Sequence, residues 1–340
     1  MPDVNDATLL RTETMLKTAM GPVVAEALTD PAVVEVMVNP DGHIWLDRHG
    51  DGRIDTGAVM SAAEVERVVR VVASHIGQEV TRDHPVVSAE LPGGGERFEG
   101  VMPPVSRSPC FAIRKAAAQI FTLEDYVAKG VMTPLRRDVL KQAVRDKRNI
   151  LIVGGTGSGK TTLANALLYE IAQTGDRVVI LEDTRELQCA APDQVALRTQ
   201  AGSVTMADLV KSTLRLRPDR IIVGEVRGAE ALDMLKAWNT GHPGGVTTIH
   251  GNCGVSGLQR LEQLCGEVSS NIPRWLISQA IDLIVFIEGR GAARRVSSIR
   301  EVVCPDETED GEYHAPEYPD PDLKLVSLPN RSAATTGENS

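Results

Sequence analysis

In the first 115 residues, the spacing of hydrophobic positions predicts helices and short strands, as in a small α+β domain. The segment that begins at Ser61 has apolar residues at helical spacing, and Glu64 completes a capping box with Ser61. Elsewhere short apolar runs are bounded by turn residues, a pattern typical of β-strands. The pattern predicts helices over 7–28 and 61–77 and strands over 33–39, 43–48, 96–105 and 108–115.

The pattern changes after residue 133, where longer apolar runs alternate with amphipathic segments. This alternation is typical of a parallel sheet with crossover helices, and runs this apolar suit strands that are covered on both faces. We therefore predict an α/β domain over 133–304, joined to the N-terminal domain (1–115) by a linker over 116–132. Its strands are predicted over 149–154, 177–182, 219–225, 244–250 and 282–288, and its helices over 134–147, 159–173, 205–216, 228–240 and 256–266.

Net charge and amino-acid composition exclude few classes of function. The 340-residue chain has a net charge of −10, and nine acidic and two basic residues over 305–340 contribute −7 of it. The rest of the chain is therefore only mildly acidic. The tail over 305–340 is rich in Pro, Asp and Glu and is predicted to be disordered. Five cysteines without CxxC spacing argue against a zinc site or a disulfide framework.

The sequence predicts neither a targeting segment nor a membrane span. The first residues are acidic and lack the apolar core of a signal peptide. No window approaches the ~18 uninterrupted apolar residues that a membrane helix needs. We therefore expect a cytoplasmic protein that reaches a membrane only through its partners.

A glycine-rich loop lies between the predicted strand over 149–154 and the helix that follows it. Its sequence, GGTGSGKTT, matches the phosphate-binding pattern G-x-x-x-x-G-K-[ST]. Glycines let backbone N–H groups point at phosphate oxygens, while Lys160 reaches the β and γ phosphates and the Thr161 hydroxyl ligates Mg²⁺. We predict that the loop binds a nucleotide through Gly154, Gly155, Thr156, Gly157, Ser158, Gly159, Lys160, Thr161 and Thr162.

Polar residues end three of the later strands. Glu182 and Glu225 each end an apolar run, at the sheet edge where ligands bind in open α/β folds. A nucleotide hydrolase needs a carboxylate that polarises the attacking water and often a second one near the Mg²⁺ shell. His250 ends a further strand, where an imidazole either senses the γ phosphate or packs as an ordinary core residue.

Together these segments resemble the secretion ATPase superfamily, the hexameric motors of type II secretion, type IV pili and type IV secretion. GGTGSGKTT is similar to its Walker A motif, ILEDTREL to its Asp box, LRLRPDRIIVGEVRG to its atypical Walker B motif and GGVTTIHGN to its His box. The similarity extends roughly over 96–288. No paired CxxC motifs follow the His box, unlike in many type II secretion ATPases, and the stretch ERFEGVMPPVSRSPCFAIRK resembles the end of the N-terminal domain of type IV secretion ATPases. Within that group the chain resembles the conjugal transfer ATPases of the TrbB type.

The resemblance implies a RecA-like P-loop NTPase domain that hydrolyses ATP with Mg²⁺. It implies that Glu182 activates water and that Glu225, with Thr161, holds the metal, although the sequence leaves an exchange of the two carboxylate roles open. It also favours a phosphate-sensing role for His250. The catalytic residues implied are Glu182, Glu225, His250, Arg227 and Arg215.

Arginines are expected to neutralise the charge that develops on the transferred phosphoryl group. Arg215 and Arg227 flank the Walker B strand and match arginines of the family pattern. Arg97 and Arg114 come from the N-terminal domain and are predicted to help bind the nucleotide, so that ATP binding draws that domain inward. For each arginine the alternative is an ordinary surface charge.

The resemblance also implies partners. We expect a homohexameric ring at the cytoplasmic face of the inner membrane, docked on inner-membrane components of a mating channel or secretion complex, and with a coupling protein among its candidate partners. Sequence-specific nucleic-acid binding is not expected. An assembly ATPase of type IV pili or type II secretion is one alternative. A RecA-like nucleic-acid motor is another, which the aromatic content of 3% disfavours.

Overall fold

The structure is a computed structural model of the chain and describes residues 3–48, 51–115, 120–200, 202–269 and 274–302. Its contacts divide the chain into two compact units. Unit 1 comprises Met1–Gln119 with Thr184–Glu186, and unit 2 comprises Ile120–Asp183 with Leu187–Ser340. The acidic tail over 305–340 and residues 116–119 of the predicted linker lie outside the described residues. No helix in the described ranges has the length and apolar character to span a bilayer.

In its described residues, unit 1 is an antiparallel sheet with two helices. Its elements are α1 (Asp3–Thr29), β1 (Val33–Val38), β2 (His43–Arg48), β3 (Gly52–Val59), α2 (Ala62–His75), β4 (Val86–Glu90), β5 (Arg97–Val101) and β6 (Cys110–Arg114). The described strands form a sheet in the order β3-β2-β1-β6-β5-β4, and every neighbouring pair is antiparallel. The predicted α+β character of this region is thereby confirmed.

Local chemistry explains how the helices of unit 1 begin and bend. Ser61 and Glu64 form the predicted capping box at the start of α2, and the valines of this helix face the sheet core. In α1 the helix is interrupted at Gly21, where φ is 71°, and Pro22 begins the second segment. The predicted helix over 7–28 is therefore two helical segments joined by a kink.

Unit 2 alternates strands and helices around a mainly parallel sheet. Its elements are α3 (Leu123–Ala128), α4 (Pro134–Arg145), β7 (Ile150–Gly154), α5 (Lys160–Ile171), β8 (Val178–Glu182), β9 (Gln194–Arg198), α6 (Met206–Thr213), β10 (Arg220–Val223), α7 (Glu230–Asn239), β11 (Val246–His250), α8 (Gly254–Gly266), α9 (Arg274–Ala280), β12 (Leu283–Glu288) and β13 (Arg295–Glu301). The described strands have the order β13-β12-β7-β11-β10-β8-β9, parallel except for the pair β12–β13.

Helices cover both faces of this sheet. Along β7, Ile150 and Ile152 pack in one hydrophobic cluster, whereas Leu151 and Val153 pack in another. Successive side chains of a strand point to opposite faces, so the two clusters are the two cores of unit 2. The continuous apolar runs predicted strands of this kind, and the prediction is confirmed.

The segment over 120–132, which we assigned to a linker, is grouped with unit 2. Leu123 and Tyr126 of α3 are buried, as is Met132 beyond it, and all three belong to a hydrophobic cluster that includes α4 and α5. The short helix is therefore part of the packed α/β domain, because its apolar residues have a core to fill.

A buried arginine, Arg220, connects the loops at the amino end of the parallel sheet. Arg220 at the start of β10 is only 1% exposed, and its Nε donates to the Asp176 carboxylate (2.7 Å). Its Nη2 donates to the carbonyl oxygen of Val144 (2.8 Å). A buried guanidinium is tolerated only when paired and hydrogen-bonded, so this contact fixes the loops at this end.

Candidate active site

The glycine-rich loop connects the carboxyl end of β7 to the start of α5. Gly157 and Gly159 have φ values of 76° and 97°, in the left-handed region that favours glycine. At Gly154 a Cβ would lie 2.4 Å from the carbonyl oxygen of Ile287 and 2.6 Å from Ser158 Oγ. The glycines are therefore required both by the backbone conformation and by the closeness of the packing.

The start of α5 faces this loop. Gly159 is its N-cap and makes no side-chain capping bond, so the first N–H groups of the helix receive no cap from that residue. Such groups and the positive end of the helix dipole favour an anion. The loop with the first turn of α5 is thus suited to phosphate.

Lys160, the first residue of α5, lies at the centre of a charged cluster. It is only 7% exposed, and its Nζ donates a hydrogen bond to the carbonyl oxygen of Gly155 (3.3 Å). The same Nζ lies 3.2 Å from His250 Nδ1 and 3.9 Å from Glu225 Oε1. Three residues predicted from separate motifs therefore meet here.

Neighbouring parallel strands bring these residues together. Glu225 follows β10 and His250 ends β11, the strand that pairs with both β7 and β10. Hydrogen bonds fix the turn after β10 on β11, because Thr248 Oγ1 donates to Gly224 O (2.9 Å) and Val226 N–H donates to Thr248 O (3.0 Å). The carboxyl ends of adjacent strands therefore hold both side chains near Lys160.

Glu225 joins a histidine and an arginine. Its Oε1 lies 2.9 Å from His250 Nε2, and its Oε2 accepts a hydrogen bond from Arg227 Nε (2.6 Å) and a second from Arg227 Nη2. With Nδ1 accepting from Lys160, a neutral His250 donates through Nε2 to Glu225. The cluster is thus consistent with a neutral imidazole in that tautomer.

The surroundings keep His250 neutral. Partial removal of the ring from water lowers the pKa of His250 below its ordinary value of 6.5. The positive charge of Lys160 lowers the pKa further, Glu225 opposes this effect, and Arg227 adds to it. His250 therefore accepts the Lys160 hydrogen bond at neutral pH instead of competing with it as a second cation.

Glu182 lies one strand further along the same edge. It ends β8, is 5% exposed, and its Oε1 accepts a hydrogen bond from the N–H of Leu187 (2.8 Å). The Cα of Gly224 faces its side chain, and Gly224 N–H donates to Leu181 O (2.9 Å). Glu182 is thus a buried and oriented carboxylate at the end of the strand next to β10.

Arg215 does not join this cluster. It precedes β10, whereas Glu225 follows it, and the loop that contains Arg215 packs at the start of β8, where Arg177 Nε donates to Leu216 O (3.0 Å). A strand rises about 3.3 Å per residue, so the length of β10 separates Arg215 from the site. Arg227 is therefore the one of these two predicted arginines that contacts Glu225, and a catalytic role for Arg215 stays a prediction.

The two arginines predicted from the N-terminal domain belong to unit 1. Arg97 begins β5 and Arg114 ends β6, and they are directly opposite in the antiparallel pair. Like charges opposite each other in a sheet are unfavourable, and here Arg97 Nη1 lies 3.9 Å from Glu186 Oε1, which offsets the repulsion. Their part in nucleotide binding stays a prediction.

The protein groups at the site suit Mg²⁺ held jointly with phosphate. Thr161 lies in the first turn of α5, next to Lys160. Within the described ranges, no group of three or more His, Cys, Asp or Glu residues has the arrangement of a metal site. Mg²⁺ is commonly bound by one or two protein oxygens with substrate phosphates, so Thr161 and Glu225 fit this chemistry.

Two arginines that contact the loop were missed by the sequence analysis. Arg290 Nε donates to Thr156 O (3.1 Å) and Arg294 Nη2 donates to Gly157 O (3.4 Å). A signal was available, because both follow the last predicted apolar strand, and the carboxyl ends of parallel strands meet at one edge. The signal is the presence of three arginines over 290–295, directly after that strand.

A parallel sheet whose strand β7 leads through a glycine-rich loop into α5 defines unit 2 as a RecA-like P-loop NTPase fold. Among solved structures, the pilus retraction motor PilT with bound ADP is similar, with a TM-score of 0.57 and 20% identity, over 80% of this chain and 78% of that chain. At this identity the likeness shows the fold alone. The fold predicted for this region is confirmed.

Sequence comparison identifies the family. The family model for type II/IV secretion system proteins matches residues 19–294. The conjugal transfer protein TrbB of Rhizobium radiobacter is 50% identical over 305 residues, 89% of this chain and 93% of that protein. The type IV secretion system protein VirB11 of Bartonella henselae is 32% identical over 305 residues, 76% of this chain and 85% of that protein. The chain belongs to the type II/IV secretion system protein family, as its four motifs predicted.

Proposed function

We propose that the chain is an ATPase of type IV secretion that drives conjugal transfer as a ring of six copies at the cytoplasmic face of the inner membrane. The cluster of Lys160, His250 and Glu225 at the start of α5 carries the proposal, because it joins a phosphate-binding cation to an acid and a titratable imidazole. The 50% identity to a conjugal transfer protein supports the transport system.

The proposed reaction is the hydrolysis of ATP to ADP and phosphate. N–H groups of the loop and Lys160 bind the phosphates, and water attacks the γ phosphorus while its bond to the bridging oxygen breaks. Glu182 is our first choice to accept the proton of that water, because it is buried and held by Leu187 N–H. Arg227 and Lys160 neutralise the developing negative charge.

Mg²⁺, when bound, would neutralise phosphate charge further, and Thr161 and Glu225 are the residues that would hold it. Glu225 also contacts His250 and Arg227, so its carboxylate links the phosphate site to both. An exchange of roles between Glu182 and Glu225 stays open. His250 is proposed to respond to the presence of the γ phosphate through its hydrogen bond with Lys160.

The function is tested with the purified full-length chain. We expect turnover of ATP that single-stranded DNA does not stimulate, and native mass spectrometry with ATP should detect six copies. Strong stimulation by DNA would favour a nucleic-acid motor instead. A chain that binds neither ATP nor ADP would contradict the proposal outright.

A further inference from the structure

The turn between β12 and β13 brings two arginines against the glycine-rich loop. Arg290 donates to the carbonyl oxygen of Thr156, and Arg294 donates to the carbonyl oxygen of Gly157. Because β12 pairs with β7 in parallel, the end of β12 lies beside the point where the loop begins. The order of the strands thus creates a contact between segments that are far apart in the sequence.

The same arginines lie against the faces of two loop glycines. A Cβ at Gly159 would lie 2.9 Å from Arg294 Nε, and a Cβ at Gly157 would lie 3.4 Å from Arg290 Nε. Arg294 Nε is buried, and it has no hydrogen-bond partner within the part of the chain that the structure describes. A buried unpaired donor costs free energy, so packing alone does not account for an arginine here.

The turn that carries these arginines is held in place on its other side. Gly289 has φ 77°, and a Cβ there would lie 2.1 Å from Ala293 O, so the turn requires glycine. Beyond the turn, Val296 N–H donates to Val131 O (2.8 Å), and Arg136 Nη1 donates to Val296 O (2.7 Å). The two arginines therefore extend from a fixed part of the structure.

We propose that Arg290 and Arg294 are positioning residues that hold the glycine-rich loop in its phosphate-binding conformation, an inference that rests on the proposed nucleotide-binding function. A loop with four glycines (Gly154, Gly155, Gly157 and Gly159) loses much backbone entropy when it is ordered. Hydrogen bonds to its carbonyl groups order the loop before the nucleotide arrives, so less entropy is lost on binding. The two positive charges also favour the approach of phosphate.

The test compares Arg290→Ala and Arg294→Ala with Arg295→Ala in the full-length protein. Arg295 is a matched control because it is exposed and pairs with Glu288 through a 2.9 Å hydrogen bond. In the nucleotide-free protein we expect faster amide hydrogen exchange over 155–159 in the first two variants only. Their affinity for ADP with Mg²⁺, measured by calorimetry, should fall about five- to tenfold, with kcat within about twofold of wild type.

A glutamine at either position gives a further check, because its amide still donates to a carbonyl but carries no charge. Arg290→Gln and Arg294→Gln should restore slow exchange over 155–159 and part of the affinity. Exchange or affinity equal to that of Arg295→Ala in both alanine variants would overturn the inference. If the wild type itself binds no nucleotide, the proposed function fails, and exchange over 155–159 still decides whether the arginines order the loop.

Discussion

Gly224 and Glu182 face each other across β10 and β8, so closely that a Cβ on Gly224 would lie 3.1 Å from Glu182 Cγ. Many P-loop ATPases carry Asp before the Walker B glutamate, whereas this chain has Gly224 before Glu225. The structure gives the reason, because the side chain of Glu182 occupies the space that a side chain at 224 would need. The glycine of the atypical Walker B motif is therefore what leaves room for the buried side chain of Glu182.

Gly224→Ala should displace Glu182 and slow the reaction. The backbone at 224 does not have positive φ, and the one close contact of the added methyl is with Glu182, since Leu181 O lies at an ordinary 3.6 Å. We expect kcat to fall roughly tenfold while ATP affinity stays near wild type, because misplacing a catalytic group reduces the rate more than binding. Gly266→Ala at the end of α8 is the control, since a Cβ there meets nothing within 4 Å. Equal kcat values in Gly224→Ala and Gly266→Ala would contradict a catalytic role for Glu182.

Replacement of the two carboxylates by amides separates their roles. Glu182→Gln should bind ATP normally and lose about 100-fold or more in kcat, the usual contribution of a general base. Glu225→Gln should raise the Mg²⁺ concentration needed for half-maximal activity, because a neutral amide binds Mg²⁺ more weakly than a carboxylate. Glu262→Gln is the control, because Glu262 pairs with Arg274 on the surface of α8 and α9. Normal turnover in Glu182→Gln with an inactive Glu225→Gln would show that the roles are exchanged.

We expect the activity to have an acid limit, a pH below which it falls because His250 gains a proton. This pH should lie below the ordinary pKa of histidine. The pKa of His250 is lowered from 6.5, so the ring stays neutral at pH 7 and gains a proton only as the pH falls below about 6.5. The protonated ring can no longer accept the hydrogen bond from Lys160. We therefore expect kcat to be level above pH 7 and to fall at lower pH, and His250→Gln, which does not titrate, should lose this limit. An unchanged acid limit in His250→Gln would assign it to another group.

Sequence reasoning found the elements whose side chains are buried on both faces. Every residue of β7, β8 and β10 is buried, and the apolar runs that predicted them were unbroken. It missed the edge strands of both sheets, β3, β4, β9 and β13, which are short or partly polar and contain many exposed or half-buried positions. Edge strands gain their structure from pairing with a neighbour, which the local sequence does not encode.

The site was predicted where a motif carries the information and missed where only topology does. Lys160, Glu225 and His250 lie in recognisable motifs, and β7, β10 and β11 bring them together. Arg294 contacts the loop because β12 is the neighbour of β7, and strand order is not readable from spacing. Arg215 fits the motif pattern but lies at the other end of β10.

The Arg220–Asp176 pair at the amino end of the sheet should contribute strongly to stability. Burial opposes ionisation of Asp176, but hydrogen bonds from Lys147, Arg220 and Thr174 outweigh it and lower the pKa from 3.8 to about 2. A lowered carboxylate pKa stabilises the fold above pH 3.8, and this contribution is lost as the pH falls from 3.8 through 2.

Asp176→Asn should therefore reduce the free energy of unfolding at neutral pH by about 2 kcal/mol, measured by urea denaturation. It should also flatten the acid dependence of stability between pH 4 and 2. The control is Asp193→Asn, whose side chain is 57% exposed beside Arg177 and whose loss should cost less than about 1 kcal/mol. Equal losses in the two variants would contradict the role of burial.

Above all, we propose that Lys160 binds the phosphate of an ATP molecule that this chain hydrolyses. The most direct test of this proposal is the steady-state ATPase rate of full-length Lys160→Ala beside Lys211→Ala, whose lysine is 65% exposed and pairs with Asp233. We predict a loss of about 100-fold or more in Lys160→Ala and a wild-type rate in Lys211→Ala. A wild-type rate in Lys160→Ala would contradict the account.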